Sequence, residues 1–120
     1  MMRIIIVEDS VLLREGIARL LGESGHEVVG QLVDAATLVA AVAETRPDLV
    51  VLDVQLAEGS GFDVLRALHA QAPELHVVML SNYSSDPYRQ IAERFGAKAF
   101  FDKSREFERV RDLVAERVAA

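Results

Sequence analysis

The stretch Ile4-Ile5-Ile6-Val7-Glu8-Asp9-Ser10 decides how this chain is read. An unbroken apolar run of this length, ending abruptly in polar residues, is what a parallel strand covered on both faces looks like. It stops in two adjacent carboxylates, Glu8 and Asp9. Like charges side by side at the end of a buried strand repel each other, so another group has to make the arrangement tolerable.

Outward from that strand, short apolar runs alternate with segments of helical period. The strands read as Arg3–Glu8, Glu27–Leu32, Leu49–Asp53, His76–Ser81 and Ala99–Asp102. Between them lie apolar stripes at helical spacing: Val11, Ile17, Leu20 and Leu21; then Ala35, Leu38, Val39 and Val42, halted by Arg46-Pro47. Phe62, Leu65 and Leu68 make the third, and Tyr88, Ile91, Ala92 and Phe95 the fourth, opened by Asp86-Pro87 and capped by Gly96. Phe107, Val110, Leu113, Val114 and Val118 make the last. Five β/α units in this order predict an α/β fold, a flavodoxin-like doubly wound sheet of five parallel strands, with ligands beyond the carboxyl ends of the strands.

That rule gathers five functional groups on one rim. Glu8 and Asp9 follow the first strand, Asp53 ends the third, Ser81 ends the fourth, and Lys103 stands just past the fifth. Three carboxylates brought together must share a proton or hold a cation, and oxygen-only ligands favour a hard one, Mg²⁺ in a cell. Such an ion would take Asp9 and Asp53 directly, leaving Glu8 to act through a water. Lys103 adds a point charge suited to a phosphate oxygen, and Ser81 a hydroxyl donor. Together these are the parts of a phosphoryl-transfer site in which an Asp is the covalent acceptor.

Bulk properties exclude several alternatives. With 120 residues, 51% of them hydrophobic, the chain holds enough apolar material for one core, and residues 1–120 read as a single domain. No cysteine is present, so disulfides and thiolate metal sites are excluded. No apolar run approaches the length of a membrane span, and MMRIIIVEDS is too short in its apolar part, and acidic too early, for a signal peptide. A cytoplasmic location without membrane attachment is expected. The net charge of −6 argues against direct nucleic-acid binding by this domain.

On these residues the chain resembles the receiver domain of two-component response regulators. The resemblance covers essentially its whole length and rests on VEDS, Asp53 in PDLVVLDVQL, Ser81 in VVMLSNYSS and Lys103 in GAKAFFDKS. It implies that Asp53 accepts a phosphoryl group from a sensor histidine kinase or phosphotransfer protein. Glu8, Asp9, Asp53 and the main-chain carbonyl of Gln55 would then position Mg²⁺. Lys103 would pair with a phosphoryl oxygen, Ser81 would move toward it, and Phe100 would change rotamer as the coupled aromatic. The fourth helix, fifth strand and last helix would present an altered face to a downstream target, an output domain or a second copy of the chain. Arg89, Arg94, Lys98 and Phe101 lie in that region.

Three positions depart from the family pattern. Ala57 stands where many members have Pro, with Gly61 still closing the loop. Ser104 follows Lys103 where Pro is frequent, so a trans bond is expected there, because cis before a non-proline residue costs about 2.5–4 kcal/mol. Phe100 lacks the hydroxyl of a frequent Tyr, leaving any rotamer coupling to packing. Simpler roles remain for individual residues: Asp9 or Ser10 as a helix cap, Asp53 as a polar strand end, Phe100 or Phe101 as core. His26, His69 and His76 share no metal-ligand spacing and read as incidental. The rival function is a receiver-like interaction module that is not phosphorylated. An enzyme acting on external substrates is disfavoured, because VEDSVLLREG has no glycine-rich phosphate cradle and DVQL no second Asp two residues on.

Overall fold

Successive side chains of a strand point to opposite faces, and that alternation divides the core of this protein into two layers. The computed structural model describes residues 1–34, 36–53, 61–81 and 86–102. Its elements run β1 (Arg3–Val7), α1 (Val11–Glu23), β2 (Glu27–Leu32), α2 (Leu38–Thr45), β3 (Leu49–Asp53), α3 (Gly61–Gln71), β4 (His76–Ser81), α4 (Asp86–Arg94) and β5 (Ala99–Asp102). The strands form one parallel sheet in the order β2-β1-β3-β4-β5, the doubly wound arrangement.

Ile5, Val7, Val50, Leu52, Val77 and Met79 face one layer, packed by Leu38 of α2, Leu65 and Leu68 of α3 and Ala92 of α4. Ile4, Ile6, Leu49, Val51, Val78 and Leu80 face the other, packed by Ile17 and Leu21 of α1. Each of β1, β3 and β4 thus buries both faces, which is why its sequence is a continuous apolar run. The edge strand β2 is only half-buried and carries Gly30 and Gln31 within it.

The strand bounds match expectation except that β1 ends at Val7, one residue before Glu8. The Glu8 N–H still donates to the Leu32 carbonyl at 3.0 Å, so the ladder continues into the acidic pair. Among the described residues, three of the expected stripes' members are exposed. Val11 is 54% exposed, Val39 42% and Ile91 38%. Val11 is the first residue of α1, standing at the sheet's carboxyl edge rather than over its face. Val39 and Ile91 each neighbour the buried residue of their helix, Leu38 and Ala92, and a step of one residue turns a helical side chain off the contact line.

Helix ends follow their local chemistry. Ser10 caps α1, its hydroxyl accepting from the Leu13 N–H at 3.3 Å. At the end of α2, Arg46 takes a left-handed conformation with φ 49°, since the following Pro47 disfavours continued helix. Gly96 ends α4 with φ 101°, while the Ala97 N–H returns to the Ala92 carbonyl at 2.9 Å. A Cβ at Gly96 would also lie 2.5 Å from Nδ1 of His69, so the position excludes side chains twice over. His69, exposed on α3, thus lies against the turn that follows α4, near which the rings of Phe62 and Phe95 meet edge-on with centroids 6.5 Å apart. Ala35, the last helical stripe from Phe107 to Val118, Ala57 and the Lys103-Ser104 bond lie outside the described residues.

Candidate functional site: an acidic rim at the carboxyl end of the sheet

Because all strands are parallel, β1 and β3 deliver their carboxyl ends side by side, paired through Val7 and Leu52. One residue further along each chain stand Glu8 and Asp53. Both are buried, Glu8 at 0% and Asp53 at 1% exposure, whereas Asp9 is exposed. One carboxylate oxygen from each of the three lies within 4.8 Å of the others. Ser81 is likewise buried at the end of β4, which runs alongside β3 with Leu80 opposite Asp53.

Among the described residues, three hydrogen bonds tie Glu8. Its N–H donates to Leu32, its carbonyl accepts from Nη1 of Arg14 at 2.8 Å, and its Oε1 accepts from the Ser10 N–H at 3.2 Å. Asp9, one residue on, projects into solvent beside the exposed Val11 and Leu12. The site thus combines two fixed, buried carboxylates with one accessible one. Its donor set is oxygen only, and three carboxylates at this spacing suit a hard divalent cation that keeps some of its waters.

Of the residues expected at the rim, Glu8, Asp9, Asp53 and Ser81 are brought to the carboxyl edge, while Gln55 and Lys103 lie outside the described residues. Phe100 is buried in the layer that holds Met79 and Ala92, on β5 opposite Met79. Arg14 and the Ser10 N–H were not singled out by the sequence reading. Arg14 does leave a trace there, as a cation in the first turn of a helix, where the helix dipole disfavours one.

A cavity of about 560 Å³ lies at the opposite, amino end of the sheet, between α2 and α3, and Val42, Leu68 and Leu75 line it. None of the described rim residues lines it. Its lining mixes apolar side chains with Arg46, Asp48, Glu74 and His76, and it lacks the three converging carboxylates of the carboxyl end.

The response regulator receiver domain model matches residues 4–115, and the chain belongs to that family. It is 35% identical over 104 residues to the DNA-binding transcriptional activator DevR/DosR of Mycobacterium tuberculosis, covering 86% of this chain and 48% of that protein. The chemotaxis protein CheY of Listeria monocytogenes is 30% identical over 110 residues, 92% of each chain. Among solved structures, the receiver domain of the response regulator NarL from Mycobacterium tuberculosis superposes with a TM-score of 0.88 at 25% identity, covering 99% of this chain and 97% of that one. The chain spans about half the length of DevR/DosR. Among the described residues no helix is long and apolar enough to cross a membrane.

Proposed function

We propose that the chain is a phosphorylation-controlled switch of a two-component system, with Asp53 as the acceptor. The observation that carries this is the meeting of buried Glu8, buried Asp53 and exposed Asp9 within 4.8 Å at the carboxyl edge. A carboxylate oxygen of Asp53 attacks the phosphorus of a phosphohistidine. The phosphorus–nitrogen bond breaks, the imidazole leaves, and an acyl phosphate remains on Asp53. Water later returns the aspartate and inorganic phosphate.

Asp9 and Asp53 would hold Mg²⁺ directly, Glu8 through a water, and the Gln55 carbonyl would complete the protein's share. The ion supplies positive charge to the phosphoryl oxygens during transfer. Glu8, held by three hydrogen bonds, keeps its side of the site in place before any ligand arrives. Ser81, buried beside Asp53, is placed to offer its hydroxyl to the modified carboxylate, and Lys103 would balance the added charge. About −1.5 to −2 charges then appear at the rim, enough to bias a two-state element.

The face of α4 and β5 is the proposed output surface, and the last helix expected to share it lies outside the described residues. Ile91, Arg94 and Lys98 are exposed there. Phe100 couples to it through packing. A sensor histidine kinase or phosphotransfer protein would supply the phosphoryl group, and an output domain, a downstream target or a second copy would read the face. Residues 1–120 are taken as one receiver domain in the cytoplasm.

Incubation with acetyl phosphate and Mg²⁺ tests the reading directly. Intact mass should rise by one phosphoryl group in the wild type and stay unchanged in Asp53→Asn. Equal labelling of the two would refute Asp53 as acceptor, and an identical NMR spectrum with and without beryllofluoride and Mg²⁺ would instead indicate an interaction module without a switch.

A further inference from the structure

Arg14 sits in the first turn of α1, four residues after the cap Ser10. That turn carries no acidic residue, and a cation there opposes the helix dipole, whose positive end favours carboxylates. A side chain placed against its local electrostatics is usually held by something else. Here it is the Glu8 main-chain carbonyl, which accepts from Arg14 Nη1 at 2.8 Å.

That carbonyl belongs to the peptide joining Glu8 to Asp9, so its plane sets where both side chains leave the backbone. Its own residue is anchored on the other side by the Glu8 N–H to Leu32 bond at 3.0 Å. With the Glu8 carboxylate accepting from the Ser10 N–H, the turn is tied from the strand, from its own side chain and from the helix. Arg14 supplies the tie from the helix. It is half-buried, which restricts its alternatives. The guanidinium also brings positive charge to the main chain of the turn that carries Glu8 and Asp9.

We propose that Arg14 is a positioning residue for the metal site: by fixing the Glu8–Asp9 peptide it presets Asp9 and Glu8 for the ion, and it acts through that carbonyl rather than on the ion. This rests on the metal-binding reading of the rim. Partners that orient ligands from behind commonly change metal affinity by about 10–100-fold, and a main-chain contact belongs at the low end of that range.

Titration calorimetry with Mg²⁺ alone, at low and high salt, would compare wild type, Arg14→Met and Arg14→Lys, with circular dichroism as a check on folding. Arg14→Met is expected to fold, to bind Mg²⁺ about tenfold more weakly at both salt concentrations, and to exchange its Ser10 amide faster in the metal-free state. Arg14→Lys, retaining a donor, should recover most of the affinity. Unchanged Mg²⁺ affinity in Arg14→Met would overturn the proposal even if its melting temperature fell, because a purely structural role moves stability alone. Tighter binding would overturn it too, marking Arg14 as a cation that competes with the metal. Absence of Mg²⁺ binding by the wild type would bring down the metal reading itself and this proposal with it.

Discussion

The two ends of the sheet treat charge in opposite ways. At the amino end, polar groups answer one another. Arg3 donates through Nε and Nη2 to the Thr45 carbonyl at 3.2 and 2.7 Å and pairs with Glu27 at 3.6 Å. The Arg3 N–H reaches Asp48 Oδ2 at 2.8 Å, and Met2 donates its N–H to His26 Nδ1 at 3.0 Å. At the carboxyl end, three carboxylates stand within 4.8 Å, two of them buried. Burying like charges together costs stability unless a counter-charge or a bound cation offsets it. One end is built to hold the chain, the other to meet something.

The largest test of this contrast is Asp53→Asn. It should abolish labelling by acetyl phosphate and, by removing one of three crowded charges, raise the thermal midpoint of the metal-free protein. A lowered midpoint would mean that the rim stabilises the fold after all. Addition of Mg²⁺ should raise the midpoint of the wild type in proportion to the logarithm of its concentration above Kd, and raise that of Asp53→Asn far less.

Substitutions at the amino end should behave in reverse, costing stability while leaving phosphoryl acceptance intact. Gly96→Ala forces a Cβ into a positive-φ position and against His69, and the backbone part alone is worth about 1–2 kcal/mol. Chemical denaturation of the double variant with His69→Ala should restore the steric part only. Arg3→Met removes two hydrogen bonds to one carbonyl, a loss of about 1–2 kcal/mol, to which the part-exposed pair with Glu27 adds little. Labelling slowed to the same degree as stability falls would blur the two ends.

The smallest expected effect is one of pH. Burial, and secondarily the N-terminal charge, lower the pKa of His26 below its ordinary 6.5, and its Nδ1 is committed as an acceptor for Met2. The folded state therefore takes up its proton later than the unfolded one. This stability is complete above pH 6.5 and declines as pH falls through 6.5 toward the folded pKa. Urea unfolding from pH 8 to 5 should show the decline in the wild type and a flatter profile in His26→Gln.

Much of this was legible beforehand. IIIV, LVVL and HVVML betrayed strands buried on both faces, and their spacing set the order of units. Glu8, Asp9, Asp53 and Ser81 were recognisable because the doubly wound rule assigns strand ends to one edge. Val11, Val39 and Ile91 were misplaced, since an apolar stripe records spacing and not where the helix begins relative to the sheet. Arg14 passed unnoticed and His69 read as incidental for a related reason: one bonds a main-chain carbonyl six residues away and the other lies against a glycine in the turn after a different helix, neither of which leaves a pattern in residue types.

Residue type and spacing alone determined the class of fold and the stock of oxygen ligands, because burial and strand alternation follow from local chemistry. Tertiary structure decided which carboxylates are buried, how Glu8 is tied while Asp9 stays open, and which polar groups meet at the amino end of the sheet. Those outcomes depend on distances between residues 45 positions apart along the chain, from Glu8 to Asp53, and only the closed sheet sets such distances.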